Sequence, residues 1–208
     1  SMGASYGRTG LQYSSAAKTI TTRLGAKLID SSLLPYIRSR PITYVAKHLK
    51  PNIEMFATFD NVDVSQYCSP AIELRLSSKI SSGITVTSVS QSSTGAVGNV
   101  VLQKQSVLYI IPDITANVFS TGSVTLTVNN GTPITNSITS IDAGTRLKTN
   151  ENGDIAGIFV IPNNQELKFN VGERQFKLTD NLDKIFTTSS AQTTYLAYGL
   201  STTSQDTI

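Results

Sequence analysis

His48, Cys68 and the carboxylates Asp60 and Asp63 are the side chains whose types could carry chemistry in this chain. His48 is the one imidazole available as a general base. It stands between Lys47 and Lys50, whereas a Ser-His-Asp relay needs a carboxylate to orient the ring; the better reading is an exposed edge residue. Cys68, within Gln66-Tyr67-Cys68-Ser69-Pro70, would be a nucleophile only if a base reached it, and otherwise reads as a small buried hydrophobe. As the single cysteine it also excludes an internal disulfide and a Cys₄ or Cys₂His₂ zinc site.

Asp60 and Asp63 could be a glycosidase pair only if they faced each other across a cleft, roughly 5 to 10 Å apart, beside aromatic rings that stack on sugar. Tryptophan is absent and aromatics make up 7% of the chain, so Asp60-Asn61-Val62-Asp63 reads instead as an Asx-type turn that ends one strand and starts the next. Asn150-Glu151-Asn152-Gly153-Asp154 suggests a calcium loop but lacks the alternating oxygen ligands and closing Glu of a twelve-residue site. Asn130-Gly131-Thr132 satisfies the glycosylation sequon, yet its Asn-Gly is explained by a turn. Thr94-Gly95-Ala96-Val97-Gly98 has a phosphate loop's glycines without the Lys-Ser/Thr that would hold phosphate and metal. No catalytic residue, metal site or cofactor is therefore assigned.

Those positions must be held by β-structure. The chain has 208 residues, 15% of them charged, with 26 Ser and 26 Thr, enough for one ordinary domain or two small ones with a real core. No apolar run reaches the 18 or so residues of a membrane span, and a secretory signal is not evident at the start. Ser1-Met2-Gly3 resembles the residue of tag cleavage, which would make the chain a piece of a longer one. Residues 1–50 hold eight basic side chains against Asp30 alone, a balance of +7 that leaves −4 for the remainder. A basic arm on a slightly acidic body follows, suited to an acidic partner subunit; the dispersed charges and few aromatics argue against nucleic acid.

Residues 1–40 read as this extended arm, because the weak helical window Ala16 to Leu34 is broken by Gly25 and by Thr19, Ile20, Thr21 and Thr22. Ile42 to Ala46 and Ile53 to Phe59 alternate with period two around a Lys50-Pro51-Asn52 turn. Residues 77–140 are poor in charge and rich in Ser, Thr and Val, with strand-like runs at Ile84 to Val89, Val100 to Lys104, Val107 to Ile111 and Ser123 to Val128. They read as a small all-β insertion. Asn152-Gly153, between Arg146 to Thr149 and Ile155 to Pro162, carries the strongest short-range hairpin signal. Leu167 to Val171, Arg174 to Leu178 and Thr193 to Tyr198 complete a set of short strands at near ten-residue spacing, the pattern of a β-sandwich.

Several stretches carry a resemblance. They are Asp30 to Arg40, Leu49 to Asn52, Phe56 to Val64, Leu147 to Pro162, Phe169 to Asp180, Ala191, and Tyr195 to Leu200. They cover roughly 90 residues on either side of the Ser/Thr-rich block and resemble a module of large structural proteins of tailed, chiefly contractile-tailed, bacteriophages. The resemblance implies a mainly β chain: an immunoglobulin-like β-sandwich made of residues 41–76 and 141–208, with the 77–140 subdomain inserted and the arm in front. It further implies a non-enzymatic role in the virion, at a tail, tail fibre or baseplate. Its partners would be other virion proteins or copies of itself, trimers being usual for fibres, and no membrane. A host-receptor or carbohydrate-binding adhesin, with the inserted block presenting the loops and host surface glycan as ligand, is the competing reading. Arg38 and Arg40, spaced to point the same way on an extended segment, are the candidates for anchoring the arm to Asp60 or Asp63 or for contacting a partner.

Overall fold

The computed structural model describes residues 12–15, 35–113 and 117–197. The chain is mainly β, with no α-helix among the described residues. It divides into two compact units, one built from Ser1–Ser69 and Arg146–Ile208, the other from Pro70–Thr145.

The first unit holds two four-stranded sheets. One has the order β1 (Gln12–Ser15), β2 (Pro41–Ala46), β12 (Ile155–Val160), β5 (Cys68–Pro70); the other runs β14 (Ser190–Ala197), β13 (Gly172–Thr179), β3 (Phe56–Phe59), β4 (Val62–Asp63). Their inner faces meet because β2, β12, β3, β13 and β14 turn apolar residues inward. Ile42, Tyr44 and Ala46 of β2 and Ile155 and Phe159 of β12 share a core with Ala57, Phe59, Phe176, Leu178 and Tyr195 from the opposite sheet. Aromatic rings bridge the layers: Phe59 to Phe159 at 5.2 Å, Phe159 to Phe176 at 5.1 Å and Tyr44 to Phe176 at 5.4 Å between centroids. Pairs at such spacing contribute about 0.5–1.5 kcal/mol each beyond their buried area.

The two alternating runs around Lys50-Pro51-Asn52 lie in different sheets: β2 pairs with β1 and β12, whereas β3 pairs with β13 and β4. The hairpin expected at Asn152-Gly153 does not form. Residues 147–149 run instead against 53–55, with Met55 N donating to Leu147 O and Thr149 N to Ile53 O, while β12 pairs with β2. The physical reason lies in Gly153, whose φ of +80° and close approach to the Leu49 backbone commit the turn to packing on the 48–53 loop. A primed two-residue turn needs positive φ at both central residues, and Asn152 is not among the residues that have it. Asp60 and Asn61 are, at +52° and +64°, and they join β3 to β4 with Phe59 opposite Val62. Leu167 to Val171, expected as a strand, makes only an isolated bridge, Tyr36 with Asn170.

The expected arm falls largely on residues outside those described. Two parts of it belong to the first unit: β1 pairs in register with β2, and 35–37 are tied down by Ile37 N donating to Phe169 O and Val171 N to Pro35 O.

The second unit is a closed six-stranded barrel in the order β10 (Gly122–Val128), β11 (Ile134–Asp142), β6 (Ile72–Leu76), β9 (Val107–Pro112), β8 (Ala96–Lys104), β7 (Val86–Gln91). Closure leaves no unpaired edge. Leu74, Val89, Leu108, Ile110, Leu126 and Ile138 fill the interior. Buried Gln91 satisfies both ends of its amide: Nε2 donates to Ser120 O and Ser123 O, and Oε1 accepts from Ser120 N and Thr94 Oγ1. This unit begins and ends beyond the 77–140 block, because β6 supplies one of the staves.

Candidate contact site at the loop joining β13 and β14

The sequence-derived candidates scatter over the first unit. Arg38 is exposed and Arg40 half-buried. Asp60 makes its ion pair with Arg174 at 3.4 Å, across the β3 and β13 ladder. Asp63 turns onto Ser65, accepting from its amide at 3.0 Å and from its hydroxyl at 2.7 Å. The Asp60-to-Asp63 segment is thus a turn followed by the 3-10 turn Ser65–Tyr67.

His48 is exposed and in the left-handed region, at φ +65°. Cys68 packs against the core and donates to Val64 O. Burial, with Asp63 nearby, pushes its thiol up to about 12, so at neutral pH it stays protonated and weakly nucleophilic. Among the described residues no three His, Cys, Asp or Glu side chains converge as a metal site would require, and no helix is long and apolar enough to cross a membrane.

Sequence reasoning passed over the loop between β13 and β14. It places Ile185 and Phe186 at its tip, 83% and 63% exposed, with Leu182 also exposed. Large apolar side chains in water are ordinarily scattered singly; adjacent ones on a fixed loop make a candidate contact surface.

The loop is fixed by its own polar residues. Asn181 Oδ1 accepts from Asp183 N, Asp183 Oδ1 accepts from Ile185 N, and Phe186 N donates to Asp183 O. These bonds wind the 3-10 turn Lys184–Phe186. Thr187 Oγ1 donates back to Asn181 O at 2.9 Å and meets Thr179 Oγ1 at 3.1 Å, drawing the two stems together.

At the base, the Asp180 carboxylate accepts from the amides of Thr188 and Ser189 and from the Thr188 hydroxyl. Desolvation pushes this carboxyl up, but the hydrogen bonds together outweigh it and hold it below the usual aspartate value. Lys50 completes the clasp: its amide donates to Ser189 Oγ and its ammonium to Thr188 Oγ1. The Lys-Thr-Asp row has the look of an activated hydroxyl. Its donor directions run from Lys50 to Thr188 to Asp180, and the row joins two loops.

The signal for this loop was present as Thr179, Asp180, Asn181 and Asp183, side chains that bond to nearby backbone. What it could not tell was that the apolar pair inside would face solvent.

Comparison of the chain with protein-family models, curated proteins and solved structures found no match.

Proposed function

We propose that the chain is a non-enzymatic structural module of a tailed-bacteriophage virion, from a tail, tail fibre or baseplate, that works through protein–protein contacts. The observation that carries the contact role is the hydrogen-bonded β13–β14 loop holding Ile185 and Phe186 in water. Ordering a loop before association removes part of the entropy cost of binding, which is what a permanent assembly contact needs. The virion assignment draws on the sequence resemblance described above.

We further infer an immunoglobulin-like sandwich for the first unit, on the strength of its strand order. Counted along the chain and leaving the barrel aside, β1, β2, β12 and β5 fall where strands A, B, E and D of that fold fall, and β14, β13, β3 and β4 where G, F, C and C′ fall. The barrel then sits between D and E, and the exposed loop is the F–G connection, which the variable domains of that fold use for recognition.

The test is direct. Peptides of this chain should be found by mass spectrometry in purified tailed particles, at a copy number fixed relative to other tail proteins. Their absence from particles whose genome encodes the chain would sink the virion reading.

A further inference from the structure

The second sheet of the first unit is asymmetric from end to end. At one end the Ile185–Phe186 tip stands beside Lys184, and Lys184 in turn lies close enough to Lys177 to lower its pKa, second to the desolvation of Lys177 itself. Lys50 reaches the base of the same loop. Two acids share that end, Asp180 accepting from Thr188 and Ser189 and Asp183 from the Ile185 amide, so three lysines stand against two carboxylates.

At the other end is the Asp60-Asn61 turn. The direction of β13 places it there, since Thr179 is opposite Phe56 and Phe176 opposite Phe59. Here Val62 is 40% exposed between Asp60 and Asp63, with Glu173 exposed at the adjacent start of β13. Among the described residues Arg174 forms an ion pair with Asp60, and Asp63 accepts from the Ser65 amide and hydroxyl.

An apolar tip at a lysine-rich end, and Val62 between Asp60 and Asp63 at a carboxylate-rich end of the same sheet, are complementary surfaces on a single molecule. The geometry points to a second copy of this chain as the occupant of the tip, the Ile185–Phe186 loop of one molecule seating on the Asp60–Asp63 hairpin of the next. Such a contact is heterologous: each molecule offers one tip and one hairpin, so association continues head to tail and does not stop at a two-fold dimer. This inference rests on the contact-module reading and specifies its partner.

Both surfaces are small, so the contact is weak in solution and is reinforced by repetition in an array. The experiment is sedimentation velocity on the full chain from about 10 µM to about 1 mM, the range that weak contacts of this area occupy. The wild-type chain is expected to grow in weight-average mass with concentration, less so in high salt, where the charged rim is screened. I185S/F186S and D60N/V62S/D63N should each raise the half-association concentration by at least about tenfold, with thermal unfolding checked to be unchanged. The decisive arm mixes the two variants. Each retains one working surface, so the mixture is expected to stop at heterodimers while neither variant associates alone.

A wild-type chain that stays monomeric throughout, one that stops at a dimer, or variants that associate as the wild type does would each overturn the inference. None of those outcomes would touch the virion reading, which the particle mass spectrometry tests separately.

Discussion

A side chain on Gly153 would run into the main chain of Leu49: a Cβ built there falls well inside contact distance of the Leu49 carbonyl oxygen, and φ is +80°. The same two residues exchange a hydrogen bond, Leu49 N donating to Gly153 O at 3.0 Å. Gly153→Ala is therefore expected to cost about 3 kcal/mol or more, combining left-handed strain with backbone displacement. Gly131→Ala is the control, since φ is +99° but nothing lies within 4 Å of its Cβ; it should cost about 1–2 kcal/mol. Urea unfolding of the two variants checks the difference, and equal losses would show that the Leu49 approach is not a constraint.

Asp180 makes the stability of the β13–β14 loop depend on pH, with a sign that can be worked out. In the folded chain its carboxyl sits below the ordinary value of 3.8, so as acid is added the unfolded chain takes up the proton first. The stabilisation is fully present above about pH 4 and is lost as pH falls through the lowered folded value. Since Asp180 is partly exposed, the effect is small and local. Amide exchange at Thr188 and Ser189 should accelerate, relative to that at Tyr44, as pH falls below about 4. Asp180→Asn should exchange faster at neutral pH and lose this acid-specific acceleration; a variant with the wild-type profile would reassign the effect to another carboxylate.

Much of this architecture was readable from residue order, and the failures have definite causes. Ile42, Tyr44 and Ala46 alternate with Thr43 and Val45, and the same residues are buried and less buried in β2. Period two identifies a strand without naming its partner, and β2 and β3 belong to separate sheets. The Asn-Gly signal at 152–153 was overridden by a tertiary contact, whereas Asp60-Asn61, a poorer turn pair, supports the two positive φ values. The barrel's first stave was missed because Glu73 and Arg75 on β6 break the uncharged texture that delimited the inserted block. Ile185 and Phe186 carry no periodicity, and exposure of apolar residues is a property of the finished surface.

Cys68 should be unreactive toward thiol reagents in the folded chain. Burial first, and the negative charge of Asp63 second, push its thiol up to about 12, which leaves very little thiolate at pH 8. Labelling by an aromatic disulfide at pH 8 is expected to be slow in buffer and to become rapid in urea, its rate in buffer following the opening of the first unit. Complete labelling of native chain within the mixing time would show that the thiol is accessible and ionised.

The barrel is predicted to be separable when cut at the right place. Pro70 and Gly144 are neighbours, a Cβ on Gly144 lying 3.2 Å from the Pro70 ring, so the chain enters and leaves this unit at nearly one point. Replacing 70–145 with a short Gly-Ser linker should therefore leave the first unit with its aromatic core and a single cooperative melt. Removing only 77–140 should behave differently. That cut keeps β6 but deletes β9 and most of β11, the strands that pair with it, and strips the partners from buried Leu74 and Leu76. Exposed apolar staves of that kind associate, so the shorter deletion is expected to aggregate on heating while the longer one refolds. Light scattering during a thermal ramp distinguishes them. Loss of cooperative melting in the 70–145 deletion would mean that the first unit depends on the barrel for its stability.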